Sequence, residues 1–223
     1  MRTTLVLCLA AASVSAMAAE VLDFSRPPPS WQTALSQPAK EEVAQNIVAK
    51  GKGAAIACAG CHGANGLPPA VVPFPRLAGL PSEYVAKQLF DYRDGTRPNA
   101  AMAPIAKALT DAEIGSLALY FASQPASPVK SSHVSPRRGA QLAREGDNAL
   151  AIPACSDCHG GDDIGGGPIL PPLGAQPSAY TTAQLVAFKS GERRNDDGAV
   201  MREFSKRLSE ADIEAIASYF EKR

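Results

Sequence analysis

The stretch Cys58-Ala59-Gly60-Cys61-His62 (CAGCH) occurs a second time, with its second and third letters changed, as Cys155-Ser156-Asp157-Cys158-His159 (CSDCH). Both follow the pattern C-x-x-C-H, in which two thiols three residues apart lie on one side of a helical turn. There they can form thioethers with the two vinyl groups of one porphyrin, and the histidine that follows can bind its iron. The sequence therefore predicts two covalently attached haem c groups, held by Cys58, Cys61, Cys155 and Cys158, with His62 and His159 as iron ligands.

Two other chemistries use paired cysteines. A thioredoxin-like dithiol is compatible with an oxidising compartment, but it does not explain the histidine after each pair, and no βαβ pattern surrounds either motif. A zinc site would need a second pair of ligands close by, and the only other histidine is His133. Haem attachment is the interpretation that accounts for both cysteines and the histidine of each motif.

An internal repeat surrounds the two motifs, which begin 97 residues apart, at positions 58 and 155. Pro81-Ser82-Glu83-Tyr84 matches Pro177-Ser178-Ala179-Tyr180 at an offset of 96, whereas Met102 matches Met201 at an offset of 99. The second copy therefore carries three extra residues just before its methionine, within Asn195-Asp196-Asp197-Gly198.

The methionines predict the second ligand of each iron. Of four methionines, Met1 and Met17 lie at the N-terminus, which leaves Met102 and Met201, 44 and 46 residues after the first cysteine of their motifs. A methionine is ordinarily a filler of irregular gaps in a core, but two at matching repeat positions indicate a shared role. A thioether opposite imidazole gives six-coordinate iron with a raised reduction potential.

Helical patterns dominate both repeats, and strand signals are nearly absent. Capping boxes at Thr110-Asp111-Ala112-Glu113 and Ser209-Glu210-Ala211-Asp212 each introduce a closing helix with apolar residues at i, i+3, i+4 and i+7. The fold class is therefore predicted to be all-α, with two tandem domains that each form a small helical bundle around one haem. The other predicted helices are residues 40–50, 82–92, 136–143 and 178–188.

The N-terminus reads as an export signal. Residues 5–12 form an apolar run too short to span a bilayer, and small residues follow it, which predicts a signal peptide over residues 1–19, cleaved near Ala18 or Ala19. An uncleaved anchor and lipidation at Cys8 are the alternatives. The remaining organisation is predicted as an extended N-terminal arm packed on the first domain (20–38), a first domain (39–123), a Pro/Ser-rich linker (124–136) and a second domain (137–223).

These motifs together resemble the cytochrome c4 family of tandem di-haem class I cytochromes c. The resemblance rests on CAGCHGANG and PFPRLAGLPSEYVAKQL in the first repeat, and on IPACSDCHG and PPLGAQPSAYTTAQL in the second, with both methionine loops and closing helices. It spans residues 40–223 and implies a low-spin His/Met iron in each domain.

The family resemblance also implies a contact behind each haem histidine. A proline carbonyl there accepts the Nδ1–H of the ring and fixes its orientation. The resemblance assigns this role to Pro75 in the first repeat and to Pro171 or Pro172 in the second. One departure is Leu80, where the family often has glutamine; Gln176 keeps that pattern in the second repeat.

Two filled irons predict an electron carrier and not an enzyme, because no coordination position is left for a substrate. The expected function is a periplasmic one-electron carrier between respiratory complexes, or to a terminal oxidase or reductase. The first alternative is the cytochrome subunit that accepts electrons from a periplasmic dehydrogenase, such as a flavoprotein sulfide dehydrogenase. The second is a di-haem peroxidase, which requires one open iron. Redox proteins are the expected partners, and association with a membrane through a partner stays open. The balance of 22 basic against 22 acidic residues carries no signature of nucleic-acid binding.

Overall fold

A computed structural model describes residues 29–68, 73–126, 136–161 and 165–222. Within these ranges the chain forms eleven α-helices and isolated β-bridges, without a β-strand, which confirms the all-α prediction. The predicted signal peptide, Cys8 and His133 lie outside the described residues, as do parts of the arm and of the linker. No helix in the described part of the chain has the length and apolar character needed to cross a membrane.

The helices follow the repeat. After a short first helix, α1, each repeat contributes five helices in the same order: an opening helix, a haem-motif helix, a middle helix, a methionine-loop helix and a closing helix. The first helix, α1, is Ser30–Leu35, and the five helices of the first repeat are α2 (Glu41–Lys50), α3 (Ala59–His62), α4 (Ser82–Asp94), α5 (Met102–Lys107) and α6 (Asp111–Ser123). In the second they are α7 (Arg137–Arg144), α8 (Cys155–His159), α9 (Ser178–Ser190), α10 (Val200–Arg207) and α11 (Glu210–Glu221).

Each closing helix starts at the predicted capping box. The Thr110 side chain accepts the backbone N–H of Glu113, whose carboxylate accepts the backbone N–H of Thr110 at 2.8 Å. Ser209 and Asp212 make the same reciprocal pair, with the Ser209 N–H at 3.0 Å from the Asp212 carboxylate. Two otherwise unpaired N–H groups are satisfied at each helix start, so both helices begin at a defined residue.

Opening and closing helices pack against each other in both domains. In the second domain they cross closely at Gly139 of α7, where an added Cβ would lie 2.1 Å from the carbonyl oxygen of Ala215 in α11. In the first domain Gly115 of α6 has a similar role toward α1, since its Cβ would lie 2.3 Å from the carbonyl oxygen of Ala34. Glycine therefore sets the helix separation at both contacts.

The prediction of an extended N-terminal arm is wrong for its described part. Residues 30–35 form α1, which begins directly after Pro29 and packs Trp31, Ala34 and Leu35 against the core of the first domain. The proline-rich segment suggested extended chain, but a proline just before a helix has a φ already suited to helix initiation. Contact with α6 then stabilises a six-residue helix that is too short to form alone.

One buried hydroxyl distinguishes the second core from the first. Ser205 in α10 is 0% exposed, and its Oγ has no hydrogen-bond partner among the described residues. The matching position in the first repeat is Ala106, which is also fully buried. The second core therefore buries a polar atom where the first has a methyl group.

We expect Ser205→Ala to raise the free energy of unfolding of the second domain by about 1 kcal/mol, because an unsatisfied buried hydroxyl costs about 1–3 kcal/mol. Chemical denaturation of the haem-loaded protein measures the change. Ser116→Ala is the matched control, since the Ser116 hydroxyl donates to the Ala112 carbonyl at 2.8 Å and accepts the Lys40 N–H at 3.1 Å. That variant is expected to lose stability, and a loss in Ser205→Ala as well would contradict the prediction.

Candidate haem centres and the interface between them

Both C-x-x-C-H motifs adopt the helical turn that the spacing predicts. In the first, the His62 N–H donates to the Cys58 carbonyl at 2.9 Å, which places both thiols of the motif on one turn. A glycine in the left-handed region ends each turn, Gly63 with φ 74° and Gly160 with φ 80°. A Cβ on Gly63 would lie 2.1 Å from the Leu67 carbonyl oxygen, so no larger residue fits there.

A proline carbonyl holds each motif histidine. The Nδ1 atom of His62 donates to the carbonyl oxygen of Pro75 at 2.9 Å, and that of His159 donates to Pro171 at 2.8 Å. A carbonyl can only accept, so both rings carry their proton on Nδ1 and leave Nε2 free to bind a metal. In the second domain the acceptor is Pro171 and not its neighbour Pro172.

Desolvation keeps the site neutral. It lowers the pKa of His62 and of His159 below the ordinary value, against the opposing effect of the proline carbonyls, and the neutral imidazole is the form that binds iron. It also raises the pKa of the Cys58 thiol, and raises that of Cys155 to about 11. Dithiol redox motifs depend on a lowered thiol pKa, so these raised values argue against that alternative.

A continuous, mostly apolar cavity of about 920 Å³ extends through both domains. Ligand pockets in proteins commonly measure about 300–1,000 Å³, so this one is large. Its mostly apolar lining suits a porphyrin, and the polar residues along it include the arginines Arg97 and Arg193. All ten predicted site residues line it: Cys58, Cys61, His62, Pro75, Met102, Cys155, Cys158, His159, Pro171 and Met201.

Two arginines meet where the domains join. Arg97 of the first domain and Arg193 of the second match at the repeat offset of 96, and they are only 4% and 8% exposed. Arg97 donates to Gln88 of its own domain at 2.7 Å and to Gln184 of the other at 2.6 Å. Arg193 mirrors this, donating to Gln184 at 2.7 Å and to Gln88 at 3.1 Å. The interface core is therefore close to twofold symmetric.

This arginine pair forms a buried positive centre. Beyond the glutamines, the guanidinium groups contact only neutral groups among the described residues, including Tyr180 for Arg97 and Tyr84 for Arg193. Burial alone raises the pKa of Tyr84, but the charges of Arg193 and Arg97 outweigh it and hold that pKa below its ordinary value. Buried charges in proteins are normally paired, and the haem propionates are carboxylates that this centre would hold. Sequence reasoning missed both arginines, although they match at the repeat offset.

The departure at Leu80 also falls on the interface. The side-chain amide of Gln176 grips the backbone of Arg76 in the other domain: its Nε2 donates to the Arg76 carbonyl at 2.9 Å, and its Oε1 accepts the Arg76 N–H at 3.0 Å. Leu80, at the matching position of the first repeat, is buried but offers no such groups. At this pair of matching positions, only the side chain of the second domain makes hydrogen bonds across the interface.

Comparison with known proteins gives the same picture. The family model for cytochrome c matches residues 48–125 and again 137–222. The thiosulfate dehydrogenase electron acceptor of Stutzerimonas stutzeri is 39% identical over 191 residues, covering 83% of this chain and 88% of that protein. Reduced cytochrome c4 from Pseudomonas stutzeri superimposes with a TM-score of 0.73 at 34% identity, covering 83% of this chain and 99% of that one.

A third relative is larger. The thiosulfate dehydrogenase TsdBA of Marichromatium purpuratum superimposes with a TM-score of 0.74 at 34% identity over 82% of this chain. This chain spans only 40% of the length of that protein.

Fold and sites together define a di-haem c-type cytochrome, with one covalent haem c in each of two tandem helical domains. The chain belongs to the cytochrome c family and is a cytochrome c4-like electron carrier. The prediction of two haem c groups is confirmed by the two family matches, each of which contains one C-x-x-C-H motif.

Proposed function

We propose that this protein is a periplasmic one-electron carrier with two six-coordinate haems and no substrate turnover of its own. One observation carries the proposal: the motif histidines, the two repeat methionines and both cysteine pairs all line the same cavity. When bound, the haem iron supplies reversible exchange of one electron between its ferric and ferrous forms. The proposed axial ligands are His62 and Met102 in the first domain, and His159 and Met201 in the second.

The surrounding residues prepare each site for fast transfer. The carbonyls of Pro75 and Pro171 hold the imidazoles in one tautomer and one direction, so little rearrangement accompanies a change of oxidation state. The methionine thioethers of Met102 and Met201 would favour a raised reduction potential, and the mostly apolar lining would keep water from the iron. Arg97 and Arg193 would hold haem carboxylates from both domains at the shared interface. These features support electron passage between the two sites.

We further propose that the carrier accepts its electrons from a dehydrogenase of the thiosulfate-oxidising class and delivers them to a terminal oxidase or reductase. Two relatives at 39% and 38% identity are named as electron acceptors of thiosulfate dehydrogenase. Those names favour the dehydrogenase-partner alternative over a general carrier, and favour thiosulfate over sulfide as the source of electrons. Export through residues 1–19 would bring the protein into the compartment where c-type cytochromes receive their haem.

Anaerobic mixing tests the proposed partner. Fully oxidised protein is combined with a purified thiosulfate dehydrogenase, thiosulfate is added, and the reduced haem bands are followed by stopped-flow absorbance. We expect reduction of both haems at a rate that saturates with enzyme concentration, and none without enzyme or without thiosulfate. Sulfide with a flavoprotein sulfide dehydrogenase is the comparison. Faster reduction by that pair would contradict the choice of partner, and steady consumption of added peroxide would favour the peroxidase alternative.

A further inference from the structure

The two methionine loops differ in what one asparagine does. Asn99 and Asn195 each stand two residues after the interface arginine of their domain. In the first domain the Asn99 side-chain oxygen accepts the backbone N–H groups of Ala101 at 3.0 Å and Met102 at 2.8 Å. Asn99 is therefore a local cap for the helix that carries the first methionine.

In the second domain a different residue has taken over that local role. The three extra residues before Met201 bring Asp196 into position to accept the backbone N–H of Arg202 at 3.0 Å and its Nε–H at 2.7 Å. Asn195 is consequently released from capping. Its Nδ2 instead crosses the interface and donates to Gln88 at 2.9 Å and to the Asp91 carboxylate at 2.5 Å.

The first domain supplies a matching pair of charges. Lys87 and Asp91 lie one turn apart on α4 and form a mostly buried ion pair at 2.8 Å, with side chains 14% and 13% exposed. Lys87 also donates to the backbone carbonyl of Asn195 at 2.8 Å. We call Lys87, Asp91 and Asn195 the interdomain clasp. At the repeat offset of 96, the two charged residues correspond to Ala183 and Ala187. The first domain can therefore hold the methionine loop of the second in this way, but the second domain has no matching charges with which to hold that of the first.

We propose that the interdomain clasp positions the Met201 loop, so that ligation and potential of the second haem depend specifically on the contacts that Lys87 and Asp91 make with Asn195. The two charged residues hold both the side chain and the backbone of Asn195, six residues before Met201. Asp196, the residue after Asn195, accepts a hydrogen bond from the Nε–H of Arg202, which directly follows the methionine. A restraint applied by the first domain is therefore carried to the proposed ligand through a short, hydrogen-bonded segment. The proposal rests on Met201 as a ligand of the second haem.

Competition by imidazole measures how firmly the loop holds its methionine. In haem-loaded protein carrying Met102→His, the first iron is closed by two histidines, so added imidazole reports on the second iron alone. In that background we expect Asp91→Ala to raise the affinity of the second ferric haem for imidazole about tenfold, which is within the usual range of coupling between sites. With imidazole present, the reduction potential of the second haem should also fall in Asp91→Ala, because a nitrogen ligand that replaces the methionine stabilises the ferric form more than the ferrous form. Lys87→Ala should act in the same direction.

Three controls separate the clasp from general effects. Arg93→Ala, on the same helix, removes an ion pair to Asp111 within the first domain and should leave imidazole affinity unchanged. Gln176→Leu copies the first repeat and loosens the interface without touching the methionine loop, so it too should have no effect. The reciprocal background, Met201→His, reports on the first haem, where Asp91→Ala should change nothing.

Each outcome decides the matter. Unchanged imidazole affinity in both Asp91→Ala and Lys87→Ala would overturn the proposal while leaving the carrier function intact. An equal rise in Gln176→Leu would also overturn it, because the effect would then belong to domain contact in general. A second iron that is already high-spin in the otherwise unmodified Met102→His protein would overturn both the proposal and the ligand assignment of Met201.

Discussion

Replacing both Cys155 and Cys158 by serine is expected to reduce the covalently bound haem from two groups per chain to one. The second motif would lose both sulfur atoms that can form thioethers, while the first motif, about a hundred residues away, would remain complete. Alkaline pyridine haem spectra per chain, together with the mass of the denatured protein, measure the number attached. The second domain should also lose cooperative unfolding, since the cavity-lining face of its helices would have no core to cover.

Two controls accompany the cysteine variant. Cys8→Ser changes the one cysteine outside the motifs and should leave two haems per chain. The mirror variant, with Cys58 and Cys61 both replaced by serine, should retain a single haem in the second domain. Two covalent haems in either double variant would contradict the assignment of the thioether sites.

Replacing Met201 by alanine is expected to convert the second iron from low-spin to high-spin and to lower its potential. The loss of the thioether removes the ligand that favours the ferrous form, and a fall on the order of 0.1–0.2 V is a modest part of the roughly 0.8 V that axial ligands span. Electronic absorption and electron paramagnetic resonance spectra report the spin state, and a redox titration reports the potential. Met102→Ala should do the same at the first iron, so each variant serves as the control for the other.

The methionine variants also separate a carrier from a peroxidase. An opened iron can bind peroxide, so slow peroxide consumption should appear in Met201→Ala and Met102→Ala but not in the unmodified protein. If either variant kept an unchanged low-spin spectrum, the corresponding methionine would not be a ligand. The wild-type iron in that domain would then have another partner or an open position, and the argument for simple electron transfer would fail there.

The two domains are similar in plan but unequal at their interface. Arg97 and Arg193 form a nearly symmetric core, with each arginine bonded to a glutamine of the other domain. Gln176, in contrast, makes hydrogen bonds to the first domain, and Leu80 at the matching position has no polar group with which to do the same. The clasp adds a second asymmetric contact at Asn195. Hydrogen bonding and solvent access around a haem tune its reduction potential, so unlike surroundings would give the two sites unlike potentials. The asymmetry is therefore a candidate basis for a preferred path through the molecule.

Local patterns carried most of the predictive information. The motif helices, the middle helices and both capping boxes follow from neighbours within a few residues, and the structure has helices at each of these positions. The arm was mispredicted because three prolines dominated its composition, while α1 is stabilised by Gly115 and its neighbours far along the chain. The choice between Pro171 and Pro172 was equally beyond sequence reasoning, because it depends on which carbonyl faces the His159 ring.

By itself, the sequence determined the cofactor, the number of domains and their helical class, because haem attachment and helix formation depend on residues close together in the chain. Only the tertiary structure decided how the domains hold each other. Asn99 and Asn195 are the same residue at matching positions, yet one caps a helix and the other bonds to Asp91, 104 positions away. The physical reason is that a three-residue change in loop length moves a side chain across space, and contacts so distant along the chain leave no local pattern to read.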